Sequence, residues 1–140
     1  MWKTIATDEY ARKAKWYTKK KPAEYRAVVA NLNAFVESLD EGDLVYPFKF
    51  GFMHDEPAGV IAIDERGAPR KVPATRLYLY AIVDRETIYL LTIGDKRSQS
   101  KDILFCRRSA EFIAANPDFG AEDGNQEQDD SDEAEDNDQG

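Results

Sequence analysis

The sequence predicts an α+β domain in which an N-terminal strand and a helical hairpin pack on an antiparallel sheet, followed by a C-terminal helix and an acidic tail. Two observations of period carry that prediction. From Tyr25 to Leu39, the residues Tyr25, Val28, Val29, Leu32, Phe35, Val36 and Leu39 recur at three- and four-residue spacing, which is one face of an amphipathic helix. From Leu44 to Ile93 that spacing gives way to short β-branched and aromatic runs separated by turn residues. Strands grouped after helices, not alternating with them, imply an antiparallel sheet.

"WKTIA" at 2–6 opens the chain as a short strand. Thr7 can cap a helix, and Asp8 and Glu9 would sit at its positive end. This helix runs to about Lys20, with Tyr10, Ala14 and Tyr17 on one side. Pro22 suits the first position of the next helix, where its missing N–H has no intrahelical partner to lose. "DEG" at 40–42 ends that helix, and so short a link predicts an antiparallel helical hairpin. "LVYPFKFGFM" and "GVIAI" read as strands, with "HDEPA" between them. Gly and two Pro make "DERGAPRKVPAT" (64–75) a loop. "RLYLYAIV" and "TIYLLTI" form a hairpin about "DRE". A last helix carries Ile103, Leu104, Phe105, Cys106, Ala110, Phe112 and Ile113 and stops near Asn116, ahead of Pro117. In this arrangement the helices cover one face of the sheet, and the other is open for a ligand.

The net charge of −8 over 140 residues conceals two unlike parts. Residues 121–140 hold ten acidic and no basic residues, which leaves 17 acidic and 19 basic in 1–120. The body is therefore close to +2 and the tail −10. Alanine is the tail's only apolar residue type, so it cannot bury enough surface to offset the entropy of ordering. The expected division is a folded domain at 1–117 and a disordered acidic segment at 118–140. One cysteine, Cys106, excludes an internal disulfide and makes a reducing, cytoplasmic setting the default. The start lacks a long apolar stretch, so no signal peptide is expected. No apolar run approaches the roughly 18 residues of a membrane span. One histidine and one cysteine offer no metal-ligand spacing, and there is no glycine loop for phosphate and no nucleophile elbow. No cofactor is expected.

The densest polar knot is "LTIGDKRSQSKDI" (91–103), which packs Lys96, Arg97, Gln99 and Lys101 behind an apolar strand. Arg76 opens the preceding strand, and in a hairpin the start of one strand lies beside the end of the next. Arg76 is thus expected near Lys96, Arg97 and Gln99, with Arg70 and Lys71 leaning over the same place. Arginine grips phosphate with two parallel hydrogen bonds and lysine supplies a mobile charge, so such a cluster fits an anion. The competing reading is a solvated loop end whose charges aid solubility.

At these residues the chain resembles the RelE/ParE superfamily of bacterial type II toxins. "ATRLYLYAIVDRETIYLLTIGDKRSQSKDI" is similar to that family's last hairpin, in which an arginine opens a strand ending in aromatics. The next strand enters a Gly-x-Lys-x-x-Gln-x-x-Asp-Ile pattern found in RelE- and HigB-like members. The two N-terminal helices and the order of elements match as well. The resemblance implies a metal-independent endoribonuclease that cuts messenger RNA, usually on the ribosome, and is held by a cognate antitoxin protein. The ribose 2′-OH would attack the adjacent phosphate, and cations would stabilise the phosphorane. By the same resemblance Arg76 would bind the scissile phosphate, and Lys96 or Arg97 would share that role or act as acid. Gln99 would orient the RNA, and Asp102 would cap the last helix. Lys49, Lys71, Arg70 and Lys101 would contact RNA, and Tyr78 and Tyr80 are candidates for base stacking against the alternative of core packing.

The chain departs from the RelE pattern in two places. Lys49 is its only middle-strand lysine, and Ile103 stands about where a tyrosine would be. The general base is unassigned. His54, the only histidine, is a candidate acid or base, and its alternative is a surface side chain. Asp64 and Glu65 are further candidates. ParE-like members bind DNA gyrase and cut nothing, so the alternative to the nuclease is a non-nucleolytic gyrase binder or an inactive binding module. The cations around Arg76 favour the nuclease, and the missing base favours the binder.

Overall fold

The computed structural model describes residues 1–116 and 118–120. The fold is α+β. β1 (Lys3–Ala6) leads into α1 (Asp8–Lys20) and α2 (Pro22–Asp40), then β2 (Met53–Asp55), β3 (Ile61–Asp64), β4 (Thr75–Ile82) and β5 (Thr87–Asp95), and finally α3 (Gln99–Ala115). The sheet order is β1-β5-β4-β3-β2. β2 to β5 are antiparallel neighbours, as expected, and β1 joins the edge parallel to β5. Among the described residues no helix is long and apolar enough to cross a membrane.

The helix boundaries follow local chemistry. Thr7 Oγ accepts the Tyr10 N–H at 3.2 Å and donates to the Leu91 carbonyl at 3.0 Å. One hydroxyl therefore caps α1 and ties it to β5. Pro22 is the first residue of α2, and Gly42 follows its end at φ 107°, a left-handed conformation that glycine adopts without a Cβ clash. Asn116 closes α3.

The run at 44–52 does not form the expected strand, and only Met53–Asp55 pairs with β3. Pro47 has no N–H to give a ladder. The aromatics instead stack in pairs, Tyr46 on Phe48 at 4.9 Å and Phe50 on Phe52 at 4.8 Å, and Phe48, Phe50 and Phe52 pack against the core.

The sheet is also covered on both sides, and the expected open face is absent. One apolar cluster joins Tyr10, Tyr17, Val28, Leu32 and Phe35 of α1 and α2 to Ile63, Leu77, Leu79 and Ile93. A second joins Cys106, Ala110 and Ile113 of α3 to Ala62, Tyr78, Tyr89 and Leu91 on the opposite face. Alternation along each strand divides the side chains between these clusters. Tyr78 is a core residue here, so it offers no ring to a base, and Tyr80 is half-buried at the margin of the same cluster. Cys106 is buried, and burial pushes its thiol well above the ordinary range, with the neighbouring Asp102 charge acting in the same direction.

The domain continues past the boundary expected at residue 117. The Phe119 carbonyl accepts a hydrogen bond from the Tyr89 hydroxyl, its ring meets Phe112 edge-on at 5.4 Å, and Gly120 is buried against Ile5 and Tyr89. The acidic segment 121–140 lies outside the described residues.

Candidate functional site

β1 covers the edge of β5 only as far as Leu90, its partner to Ala6. Beyond that point α1 takes over, because Thr7 bonds to the backbone of Leu90 and Leu91 and the helix continues along the strand. Between α1 and the turn from β5 into α3 lies a cleft of about 720 Å³. Arg12, Lys13, Lys15, Lys19 and Lys20 line its α1 wall, with Trp16 and Tyr17 among them. Arg97 and Lys101 line the other wall, and among the described residues Asp95 is the one lining carboxylate. Trp16 is 48% exposed and meets Tyr17 edge-on at 5.2 Å, so part of its ring faces solvent beside the cations.

The turn that presents Arg97 is well braced. The Asp95 carboxylate accepts the backbone N–H of Arg97 at 2.9 Å and of Ser98 at 3.2 Å. Burial pushes the Asp95 carboxyl up, but these two bonds and the Arg97 guanidinium outweigh it and hold the group below its usual range. Beneath the turn, Asp102 is only 4% exposed. It accepts from Ser98 Oγ at 2.7 Å and from Lys13 Nζ at 3.2 Å, which ties the two walls together. It therefore joins helices and does not cap α3 as the resemblance implied. Gly94 permits this approach, since a Cβ there would lie 1.9 Å from Asp102 Oδ2 and 2.5 Å from Ser98 Oγ. Burial and the charges of Asp95 and Asp102 raise the Tyr17 hydroxyl to about 12, so it is a neutral donor at the cleft floor.

Of the residues the sequence singled out, Arg97 and Lys101 line this cleft. Lys96 and Gln99 belong to the same turn, at its exposed end and at the first residue of α3, and do not line it. Arg76 is elsewhere. Its backbone does pair with Gly94, as the hairpin requires. Its side chain, however, is on the face of Tyr78 and α3, whereas Ile93 and Asp95 look toward α1. Arg76 Nη1 donates to Glu56 Oε2 at 3.1 Å, so its charge is matched locally. Arg76 and Arg97 therefore do not converge on one anion, and that part of the expected grouping is corrected on this ground.

The remaining candidates are dispersed. His54 Nε2 lies 2.6 Å from Asp64 Oδ2, and Asp64 also accepts the Arg66 N–H at 2.8 Å. Both His54 and Asp64 are on the sheet face away from the cleft, with Ala62 and Tyr78. Glu65 accepts the Thr75 N–H at 3.1 Å and holds the 64–75 loop to the start of β4. Arg70 and Lys71 are exposed on that loop and do not line the cleft. Lys49 donates to Asp43 at 2.9 Å within the 41–52 segment.

The residues missed from sequence are those of α1. "ARKAKWYTKKK" interleaves six cations with Trp16 and Tyr17, and such a basic–aromatic stretch is itself a nucleic-acid signal. No family model, curated protein or solved structure matches the chain.

Proposed function

We propose that the protein is a cytoplasmic toxin of the RelE/ParE type that acts on messenger RNA through the cleft between α1 and the β5–α3 turn. In this reading it is a metal-independent endoribonuclease, working on the ribosome and neutralised by a cognate antitoxin protein. The supporting observation is the convergence of seven cations from two distant segments on one cleft, lined among the described residues by a single carboxylate, with Trp16 exposed among them. Phosphates along a single strand suit such a wall, and a base can stack on the indole. Arg97 would bind the scissile phosphate and stabilise the charge that builds as the 2′-OH attacks. Lys96 and Gln99, on the same turn, extend the contact along the strand.

A second reading, a ParE-like toxin that binds its target without cutting, is favoured by the acid–base residues. Arg76 is held by Glu56, and His54 is held by Asp64 on the far face. The one carboxylate lining the cleft, Asp95, is committed to its turn and kept weakly basic.

The test is inducible expression of the wild type, Arg97→Ala/Lys101→Ala and Arg76→Ala, with RNA 5′ ends mapped by primer extension. Growth arrest with new cuts in translated messages, lost in the cleft variant and kept in Arg76→Ala, is the expected result. Arrest without new cuts selects the second reading. No arrest removes both.

A further inference from the structure

We infer that the acidic segment 121–140 is a built-in competitor for the cleft, which RNA must displace in order to bind. The inference rests on reading the cleft as an RNA site. Three observations support it, and the first is complementarity. The segment carries ten carboxylates and no cation, and the cleft presents Arg12, Lys13, Lys15, Lys19, Lys20, Arg97 and Lys101.

The second is where the chain leaves the body. Phe119 is held by Tyr89 and Phe112, and Gly120 is buried with φ 83°, so that a Cβ would stand 3.2 Å from Ile5 Cδ1. The exit is therefore pinned beside β1, the strand that passes through Thr7 into α1, one wall of the cleft. Twenty residues span about 65 Å when extended, and α1 is only about 20 Å long. The segment reaches every cation of that wall, at an effective concentration on the order of a millimolar.

The third is what the segment lacks. It has no aromatic residue and only alanine as an apolar one, so its hold on the cleft is purely electrostatic. Single-stranded RNA brings the same kind of charge and adds bases that stack on Trp16. RNA therefore wins the exchange, whereas weakly bound polyanions without bases do not gain that second contact. A tail–cleft dissociation constant of about 0.1 mM would weaken RNA binding about tenfold.

The test uses the full-length chain with all ten acidic residues of 121–140 changed to their amides, Glu122→Gln, Asp123→Asn and so on through the segment. Binding of a fluorescent oligo(U) RNA is read by anisotropy at low and high salt. The expected result is about tenfold tighter binding by the amide variant at low salt, converging with wild type as salt screens the contact. Because the change also alters net charge, it is repeated with Lys20→Ala/Arg97→Ala/Lys101→Ala, where the gain should largely vanish. Carbodiimide cross-linking of the wild type, without RNA, should join tail carboxylates to Lys19, Lys20 or Lys101. Absence of those cross-links, or an equal gain in the cleft variant, overturns the inference and leaves the RNA reading standing. Failure of both the wild type and the amide variant to bind RNA overturns the RNA reading, and the competition with it.

Discussion

The cleft beside α1 and the opposite face of β2–β4 use similar residues to different effect. In the cleft, cations from residues 12–20 and 97–101 face one another across open space, and Asp95 is the single lining carboxylate among the described residues. On the other face the cations are scattered: Arg76 meets Glu56, and both His54 and Arg66 meet Asp64, whereas in the cleft Arg12 and Lys13 share Glu9, Lys13 also meets Asp102, and Arg97 meets Asp95. A cation matched by one acid projects little field, and cations gathered on two facing walls focus what remains of their field on a ligand. Arginine content does not distinguish the two regions; the gathering of cations on facing walls does.

The largest effect expected from breaking that contrast is on stability. Asp102→Ala leaves Lys13 and Ser98 without their buried acceptor and should lower unfolding free energy by about 3 kcal/mol in urea denaturation. A neutral result would mean that the two walls are not held by this pair. Next is the cleft itself. Lys20→Ala/Arg97→Ala/Lys101→Ala should weaken oligo(U) binding about a hundredfold at low salt and flatten the salt slope by about 2. Arg66→Ala/Arg76→Ala should change the same affinity less than about twofold. Similar losses in the two sets would erase the distinction between the regions.

Gly94→Ala sharpens the geometric side, since its Cβ would strike Asp102 and Ser98. A loss of about 2 kcal/mol is expected, and an unchanged denaturation midpoint would show that the turn yields easily. Trp16→Ala should weaken RNA binding by about tenfold through lost stacking, with the salt slope unchanged. A changed slope would instead assign Trp16 a role in positioning the cations. The smallest effect is that of Asp95. Its carboxyl is held below the ordinary 3.8, so its stabilisation is complete above that value and is lost as pH falls through the lower folded value. Asp95→Asn should therefore be less stable than wild type at neutral pH and converge with it at strongly acid pH. Parallel urea midpoints at all pH values would show that the carboxylate contributes nothing.

The sequence by itself determined the α+β class, the order of elements and most helix ends, because those depend on neighbours a few residues apart. Thr7 caps α1, Pro22 starts α2 and Asn116 closes α3, each where local chemistry placed it. The cleft's α1 wall was missed, although its basic–aromatic stretch stood in the sequence to be read. The run at 44–52 was misread because its apolar aromatics satisfy core packing as readily as a ladder, and Pro47 decides against the ladder. Only the tertiary structure decided that α3 closes the second face of the sheet, and that Arg76 and Arg97 part company. The hairpin register correctly brought Arg76 to Gly94, but a side chain's face follows a period of two, and its charge answers to whichever acid is near. Glu56 lies 20 residues from Arg76 in sequence, and Asp102 lies 89 from Lys13. Separations of that kind carry no local signal. An ion pair forms over about 3 Å of space, and only the packing of helices on the sheet brings such groups within that distance.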